Sequence, residues 1–447
     1  MFQKVLVSNR AAIAARVLRT LRKMGIRSVA IYSEADASLP YLALADETYC
    51  IGPADPAYSY MNQDAILKVL EQSGADAIHP GYGFLSENAA FARKVMQAGV
   101  TFIGPSPQWI DAMGHKTRAR ALMHEFGLAM AASSGLLTDD ENDQRAAAAS
   151  IGYPVMVKAA AGGGGIGMVA VHNDAQLLKA IVQTKAMALR SFGSSDLYLE
   201  RMMERPRHIE FQILADRYGN ACHLFERDCS VQRRHQKVIE ESPAARIPRA
   251  LINAKASEIV QVLQNMRYDV IGTVETLLDQ QENFQFLETN TRIQVEHAVT
   301  EEITGVDLVQ AQIRLAAGER LSEVIPEPVT VRGHAIEARI YAEDPVRFFP
   351  SPGTLQALSF PAGQGIRVET GFAAGSVITP YYDPMIAKLI VHADSRDKAI
   401  SKLQDALAAT VIEGVKHNIP FIQKVIGSAQ FKTGEVDTGL TQHILSN

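Results

Sequence analysis

The chain has 447 residues, of which 47% are hydrophobic and 21% charged, with a formal net charge of −5. This length exceeds one simple core and implies about two or three subdomains. The composition is ordinary for a soluble globular protein. The charge, without a long basic block, excludes general nucleic-acid binding, and no apolar run reaches membrane-spanning length.

Lys4 to Val7 reads as a short apolar strand, and Ala11 to Met24 as a helix with Ile13, Val17, Leu18 and Leu21 on one side. Gly25 ends that helix. The alternation continues with strand Ser28 to Tyr32, helix Ala65 to Gln72, strand Ala75 to Ile78, helix Phe91 to Ala98 and strand Val100 to Ile103. Such alternation implies an open, parallel α/β sheet. No G-x-G-x-x-G follows the first strand, whose loop is Ser8-Asn9-Arg10, so a dinucleotide site is weakly supported. The stretch His79 to Asn88, HPGYGFLSEN, follows the third strand directly. Loops at the carboxyl ends of parallel strands are where such sheets hold ligands. Its glycines equally suit a plain turn.

Trp109 to Phe126 is expected as one helix carrying Lys116. Tyr153 to Lys158 is a strand that delivers Lys158 to AAAGGGGIGM, with Gly163, Gly164 and Gly165 at its centre. Successive small residues let backbone N–H groups converge on a phosphate, and the lysine adds a point charge. No Gly-Lys-Ser/Thr follows, so this is a closing flap rather than a Walker loop. Leu197 to Met203 is a further strand leading into a hinge.

The densest chemistry lies in Asn283 to Glu301, NFQFLETNTRIQVEHAVTE. Glu288 and Asn290 share a strand face, and Arg292 joins them if the strand continues. The carboxylate and carboxamide make a hard-oxygen shelf for Mg²⁺. Arg292 suits a small oxyanion, and Glu296 is placed to act as a base. Strand Thr273 to Leu278 pairs with Phe284 to Glu288 as a hairpin, bringing Glu275 to Glu288. Two facing carboxylates repel unless a cation lies between them. Farther on, Asp307 to Ala317 and Ala399 to Leu407 are helical, and His334 to Tyr341 is a strand carrying Arg339.

HPGYGFLSEN resembles the signature of the biotin carboxylases, the ATP-dependent components of biotin-dependent carboxylases. Similar words recur nearly end to end: Asn9-Arg10, Ala45-Asp46-Glu47-Thr48, Phe102-Ile103-Gly104-Pro105, Lys158 with its glycines, Glu226-Arg227-Asp228-Cys229-Ser230, Gln232 to Lys237, and RIQVEH. The resemblance implies an ATP-grasp fold, α/β and α+β. It divides the chain into a pre-ATP-grasp domain over 1–115, a linker helix over 116–131, a mobile lid over 132–203, and a body with the C-terminal domain over 204–447. It implies carboxylation of biotin on a carrier by bicarbonate through carboxyphosphate, using ATP with Mg²⁺ (Mn²⁺ as the alternative). Nucleotide contacts are then expected from Lys116, Lys158, Gly163, Gly164, Gly165, Glu200, Arg201, Met203, His208, Gln232 and His235. Bicarbonate and biotin fall to Lys237, Arg292, Gln294, Val295, Arg339, Tyr82 and Asp383, with Glu296, Arg292, Arg339 and Lys237 catalytic and Glu275, Glu288 and Asn290 on the metal. An Arg16–Asp383 ion pair is also expected.

The sequence departs from the family at Ala11-Ala12, His115, Ile166 and Ala298. Ala12, Ile166 and Ser191-Phe192-Gly193 are closer to the urea carboxylase branch, which leaves the final acceptor open beside an acetyl-CoA carboxylase type. No Ala-Met-Lys-Met word is present, so a separate biotin carboxyl carrier protein and carboxyltransferase subunits are the expected partners, with a homodimer implied by resemblance. The three cysteines lack zinc spacing or a disulfide framework, and MFQKVLVSNR lacks signal-peptide features, so a cytoplasmic setting is expected. Another ATP-grasp ligase would share Lys158 and the Glu288–Asn290 shelf but fits HPGYGFLSEN with RIQVEH poorly. A nucleotide-sensing regulatory protein would be expected to have lost Glu296, Arg339 or a metal carboxylate.

Overall fold

A computed structural model describes residues 1–161, 167–325 and 328–446. The N-terminal sheet has five parallel strands in the order Glu47–Cys50, Arg27–Tyr32, Lys4–Val7, Ala77–His79 and Thr101–Phe102. The edge strand Glu47–Cys50 has no counterpart in the expected elements, because its half-exposed side chains give it no apolar pattern. Helix Ala11–Lys23 buries Ile13, Val17, Leu18 and Leu21, and Gly25 beyond its end takes φ +70°. The loops after Lys4–Val7 and Ala77–His79 meet at Asn9, whose side-chain Nδ2 donates to the carbonyls of Pro80 (2.7 Å) and Tyr82 (2.8 Å). Gly81 sits at φ +63°, where a Cβ would come within 2.9 Å of Asn9 Nδ2. The glycine of HPGYG is therefore required by a close approach.

The expected single helix over Trp109 to Phe126 is two helices, Pro107–Gly114 and Lys116–Glu125. His115 breaks it with extended backbone and bridges to Ala161, while the Lys116 N–H donates to Ala160 O at 2.9 Å. That tertiary pairing outweighs local helical preference. Beyond it, strands Ser133–Leu136, Leu197–Arg201, Val155–Ala159 and Met168–Val171 form an antiparallel sheet in that order. Helices Glu141–Ile151 and Asp174–Phe192 cover it, and Val155, Val157, Val171, Leu177, Ile181 and Leu199 give it a core of its own.

An antiparallel sheet of eight strands carries the rest. Its order is Phe284–Asn290, Val270–Leu278, Arg207–Ala215, Ala221–Arg233, Gln236–Ser242, His334–Tyr341, Met385–Ala393 and Ile366–Thr370. Helix Arg249–Met266 packs on one side through Ile252, Ile259 and Leu263. Helices His297–Thr304 and Leu308–Ala316 bury Val299, Ile303 and Ile313 elsewhere on the body. The hairpin forms as expected, with Glu275 opposite Glu288. Its second strand ends at Asn290, so Arg292 lies in the following loop and does not extend the strand face. Among the described residues, no helix is long and apolar enough to cross a membrane.

Candidate active site

Residues directly opposite in an antiparallel ladder point to the same face. Glu210 is opposite Glu275, Glu275 is opposite Glu288, and Glu240 is opposite Glu337. The sheet thus concentrates carboxylates, and three cations hold Glu210, Glu240 and Glu275 together with Glu296. Lys237 Nζ donates to Glu210 Oε2 (2.6 Å), Glu275 Oε1 (2.8 Å) and Glu296 Oε1 (2.7 Å). Arg227, wholly buried, donates to Glu210 Oε1 at 2.5 Å, Gln212 Oε1 at 2.8 Å and Thr300 Oγ1 at 2.9 Å. Arg339 joins Glu240 Oε1 (2.6 Å) to Glu296 Oε2 (2.9 Å).

Glu296 is wholly buried at the start of helix His297–Thr304. Burial pushes its carboxyl up, but Lys237, Arg339 and Arg227 outweigh that and hold it well below the usual carboxylate range. For Glu240, burial prevails over Arg339 and the carboxyl is pushed up to about 7. Cys229 Sγ lies 3.9 Å from Glu296 Oε1. Burial pushes that thiol far up, which leaves it a poor nucleophile.

A second carboxylate edge is built on the hairpin. Glu275 Oε1 accepts from Asn290 Nδ2 and Gln294 Nε2, both at 2.9 Å, and its Oε2 lies 2.8 Å from His208 Nε2. Burial raises the Glu275 carboxyl, but Lys237 and His208 reverse this and hold it low. Burial raises Glu288, and the Lys116 ammonium, 3.9 Å away, offsets it only in part. Two carboxylates and a carboxamide are hard oxygen donors, and a shared divalent cation would let both carboxylates stay ionised. The residues present fit Mg²⁺. Arg292 is fixed beside them by Glu87 Oε2 (2.9 Å), Asn290 Oδ1 (3.1 Å) and Gln294 Oε1 (3.1 Å).

Lys158 Nζ donates to Glu200 Oε1 at 2.7 Å, and Glu200 Oε2 lies 2.9 Å from Arg120. All three side chains are buried. Lys116 projects toward the same region, and burial lowers its ammonium against the pull of Glu288. Gln232 Nε2 pairs with His208 Nδ1 at 2.7 Å. Tyr82 lies in the loop after strand Ala77–His79, and Asp383 lies just before strand Met385–Ala393, the neighbour of the strand that carries Arg339. Val295 presents its carbonyl to Lys388 at 2.5 Å.

One expected ion pair does not form, and two expected nucleotide residues have exposed side chains. Arg201 is exposed and donates to the Ile151 carbonyl at 2.9 Å, on the lid's own helix and away from Lys158. His235 is exposed, on the turn between strands, with φ +65°. Arg16 does not pair with Asp383: it reaches Glu301 (2.9 Å), Asp307 (2.8 Å) and Glu369 (3.4 Å), because its helix packs against those elements. Asp383 instead accepts from the Met385 N–H at 2.9 Å. Gly163, Gly164, Gly165 and Ile166 lie outside the described residues, whereas Met203 is half-buried just past the last lid strand.

Residues 1–110 match the biotin carboxylase N-terminal domain, 115–324 the ATP-binding domain of the carbamoyl-phosphate synthase L chain, and 337–443 the biotin carboxylase C-terminal domain. A biotin carboxylase of Halalkalibacterium halodurans is 50% identical over 445 residues, 99% of this chain and 98% of its own. The chain belongs to the biotin carboxylase family. Biotin carboxylase 2 of Bacillus subtilis is 48% identical over 445 residues, 99% of this chain and 100% of its own. The biotin carboxylase domain dimer of Hydrogenobacter thermophilus 2-oxoglutarate carboxylase, solved with MgADP, ADP and bicarbonate, superimposes with a TM-score of 0.96 at 43% identity, covering 100% of this chain and 99% of that one. A biotin carboxylase of Campylobacter jejuni solved with an ATP analogue gives 0.96 at 40% identity, covering 99% of each chain. The ATP-grasp fold and the ATP-dependent ligase class follow.

The structure adds Glu87, Arg120, Glu210, Arg227 and Lys388 to the site residues singled out from sequence. Glu210 and Arg227 sit on neighbouring strands, and the sequence signal was a charged residue at an inward strand position. Lys388 carries the same signal, a charge inside an apolar strand, whereas Arg120, on a helix, carries none.

Proposed function

We propose that Glu296 is the general base of the first half-reaction, in which bicarbonate and MgATP carboxylate biotin on a separate carrier protein. The observation that carries this reading is a wholly buried, ionised carboxylate held between Lys237 and Arg339, beside the Glu275–Glu288 edge. Lys116 and Lys158 take the nucleotide phosphates, with Gly163, Gly164 and Gly165 as a flap. Glu200, Met203, His208 and Gln232 border the nucleotide. Glu275, Glu288 and Asn290 would hold Mg²⁺, which neutralises phosphate charge. Arg292, Lys237, Gln294 and the Val295 backbone hold bicarbonate.

When Lys237 turns one of its three hydrogen bonds from Glu296 to bicarbonate, Glu296 loses stabilisation of its charge and gains basicity. It takes the bicarbonate proton, and the freed oxygen attacks the γ-phosphorus of ATP, giving carboxyphosphate and ADP. Residues 132–203 close as a lid and exclude water. Carboxyphosphate separates into CO₂ and phosphate. The phosphate takes the biotin ureido proton while Arg339 stabilises the developing oxyanion, and biotin attacks CO₂. Tyr82 and Asp383 flank the biotin.

The remaining readings extend the family. A separate carrier is supported by relatives called simply biotin carboxylase, of which this chain spans 96% or more. We take the acetyl-CoA carboxylase type, with carboxyltransferase subunits as partners, as the first reading of the final acceptor. The urea-branch residues at Ala12 and Ile166 favour the alternative. A cytoplasmic homodimer completes the proposal. The test is transfer of labelled bicarbonate to free biotin or to a purified carrier, with MgATP. Label on biotin that disappears in Glu296→Gln is expected. Equal labelling by Glu296→Gln contradicts the assignment of the base.

A further inference from the structure

Lys388 sits in the middle of strand Met385–Ala393 with no solvent exposure. A buried ammonium is costly unless it is paired and hydrogen-bonded. Its Nζ lies 2.7 Å from Glu369 Oε2 and 3.8 Å from Glu337 Oε2. Its remaining short contact is the hydrogen bond to the Val295 carbonyl, 93 residues away in sequence, at 2.5 Å. Glu369 is itself anchored, since Arg367 bonds its Oε1 and Arg16 lies 3.4 Å from the same oxygen. Lys388 therefore transmits a fixed point of the sheet to the loop that precedes Glu296.

The geometry of that loop makes the contact consequential. A trans peptide is planar, with its carbonyl and N–H pointing in opposite directions. The bond from Lys388 sets the plane of the Val295–Glu296 peptide. The preceding plane is set by the ring Nδ1 of buried His297, 2.7 Å from the Gln294 carbonyl. Two consecutive planes are thus held from behind by buried side chains. The N–H groups of Val295 and Glu296 then face the opposite way, and the Glu296 side chain leaves from a fixed Cα.

We infer that Lys388 is a positioning residue for the bicarbonate step, acting through the Val295 carbonyl to orient the Val295–Glu296 peptide and so the base. This rests on the assignment of Glu296 and the Val295 backbone to bicarbonate. Lys388 touches no substrate. It is separated from Lys237, the cation that contacts Glu296 directly, and it serves the loop rather than the nucleotide.

The test is a set of steady-state measurements on the full chain, with bicarbonate and ATP varied separately. Lys388→Met alone would strand the Glu369 and Glu337 carboxylates, so Lys388→Met is also made with Glu369→Gln, which removes the strongest unpaired charge. Misplacing a reacting group by about 1 Å can cost about 10²-fold. Both variants should therefore raise the bicarbonate KM by about 10- to 100-fold while the ATP KM and ADP affinity stay within about twofold. Lys388→Arg, which can still donate to the carbonyl, should recover part of the loss. Unchanged bicarbonate parameters in a folded variant overturn the inference. So do equal losses for ATP and bicarbonate, or a double variant that does not fold, because either assigns Lys388 to general stability. Glu296→Gln is measured in parallel. If it retains bicarbonate-dependent turnover, the underlying assignment of the base fails. If it loses turnover while Lys388→Met does not, only the Lys388 inference fails.

Discussion

Glu296 and Glu240 are buried carboxylates bonded to the same arginine, yet they are displaced in opposite directions. Glu240 has Arg339 as its close partner, while Glu296 has Arg339 and the Lys237 ammonium. Lys237, with Arg227 beyond it, holds Glu296 low, whereas burial prevails at Glu240. Glu296→Gln is predicted to lower bicarbonate-dependent ADP release by about 10²- to 10⁴-fold while leaving ADP binding intact, measured by turnover and calorimetry. Lys237 has a second role, since its removal leaves Glu210, Glu275 and Glu296 facing one another. Breaking such a buried pair costs about 3–5 kcal/mol, so Lys237→Met should lose both turnover and a comparable part of its stability in urea. Unchanged stability would show that the carboxylates find other partners. The hard-oxygen shelf of Glu288 and Asn290 was legible in the sequence because strand alternation alone sets it. The hub at Lys237 was not, since it depends on which strands become neighbours.

At the scale of elements, Arg120 joins the four-stranded sheet of residues 133–201 to the Glu275–Glu288 hairpin. Arg120 donates to the Ala131 carbonyl at 2.6 Å, lies 2.9 Å from Glu200, and reaches the Phe286 carbonyl at 3.4 Å. It therefore touches the hinge, the lid sheet and the metal hairpin together. Arg120→Ala should raise the ATP KM by about tenfold and speed hydrogen exchange over residues 132–203 more than elsewhere. Uniform exchange across the chain would contradict a hinge role. The Glu275–Glu288 hairpin was readable because its turn, alternation and charges are local. The break at His115 was not, because the backbone of Ala160 and Ala161 enforces it from another part of the chain. The Arg16 partners were missed for the same reason: they lie about three hundred residues on, at Glu301, Asp307 and Glu369.

Across the whole molecule, the eight-stranded sheet stores carboxylates of opposite character. Among the described residues Glu337 has no hydrogen-bond partner on either oxygen, and burial, only partly offset by Lys388, pushes it up to about 8. Its unfolded value is about 4.3. The folded state thus binds a proton that the unfolded state has released, and stability is lost as pH rises from about 4.3 through about 8. Glu241 works the other way. Burial raises its carboxyl, but His334 and Arg396 outweigh this and bring it to about 2. The stability it contributes is present above about 4.3 and lost as pH falls toward about 2. Glu337→Gln should flatten the fall of Tm between about pH 5 and 8 and leave the acid side unchanged; an unaltered alkaline slope would contradict this. The most direct test of the central claim is ADP release by the purified chain with MgATP, with bicarbonate and free biotin each supplied or withheld. Release that requires both is predicted. Release that ignores biotin, or that appears only with an amine or another carboxylate, would contradict the assignment of this site to biotin carboxylation.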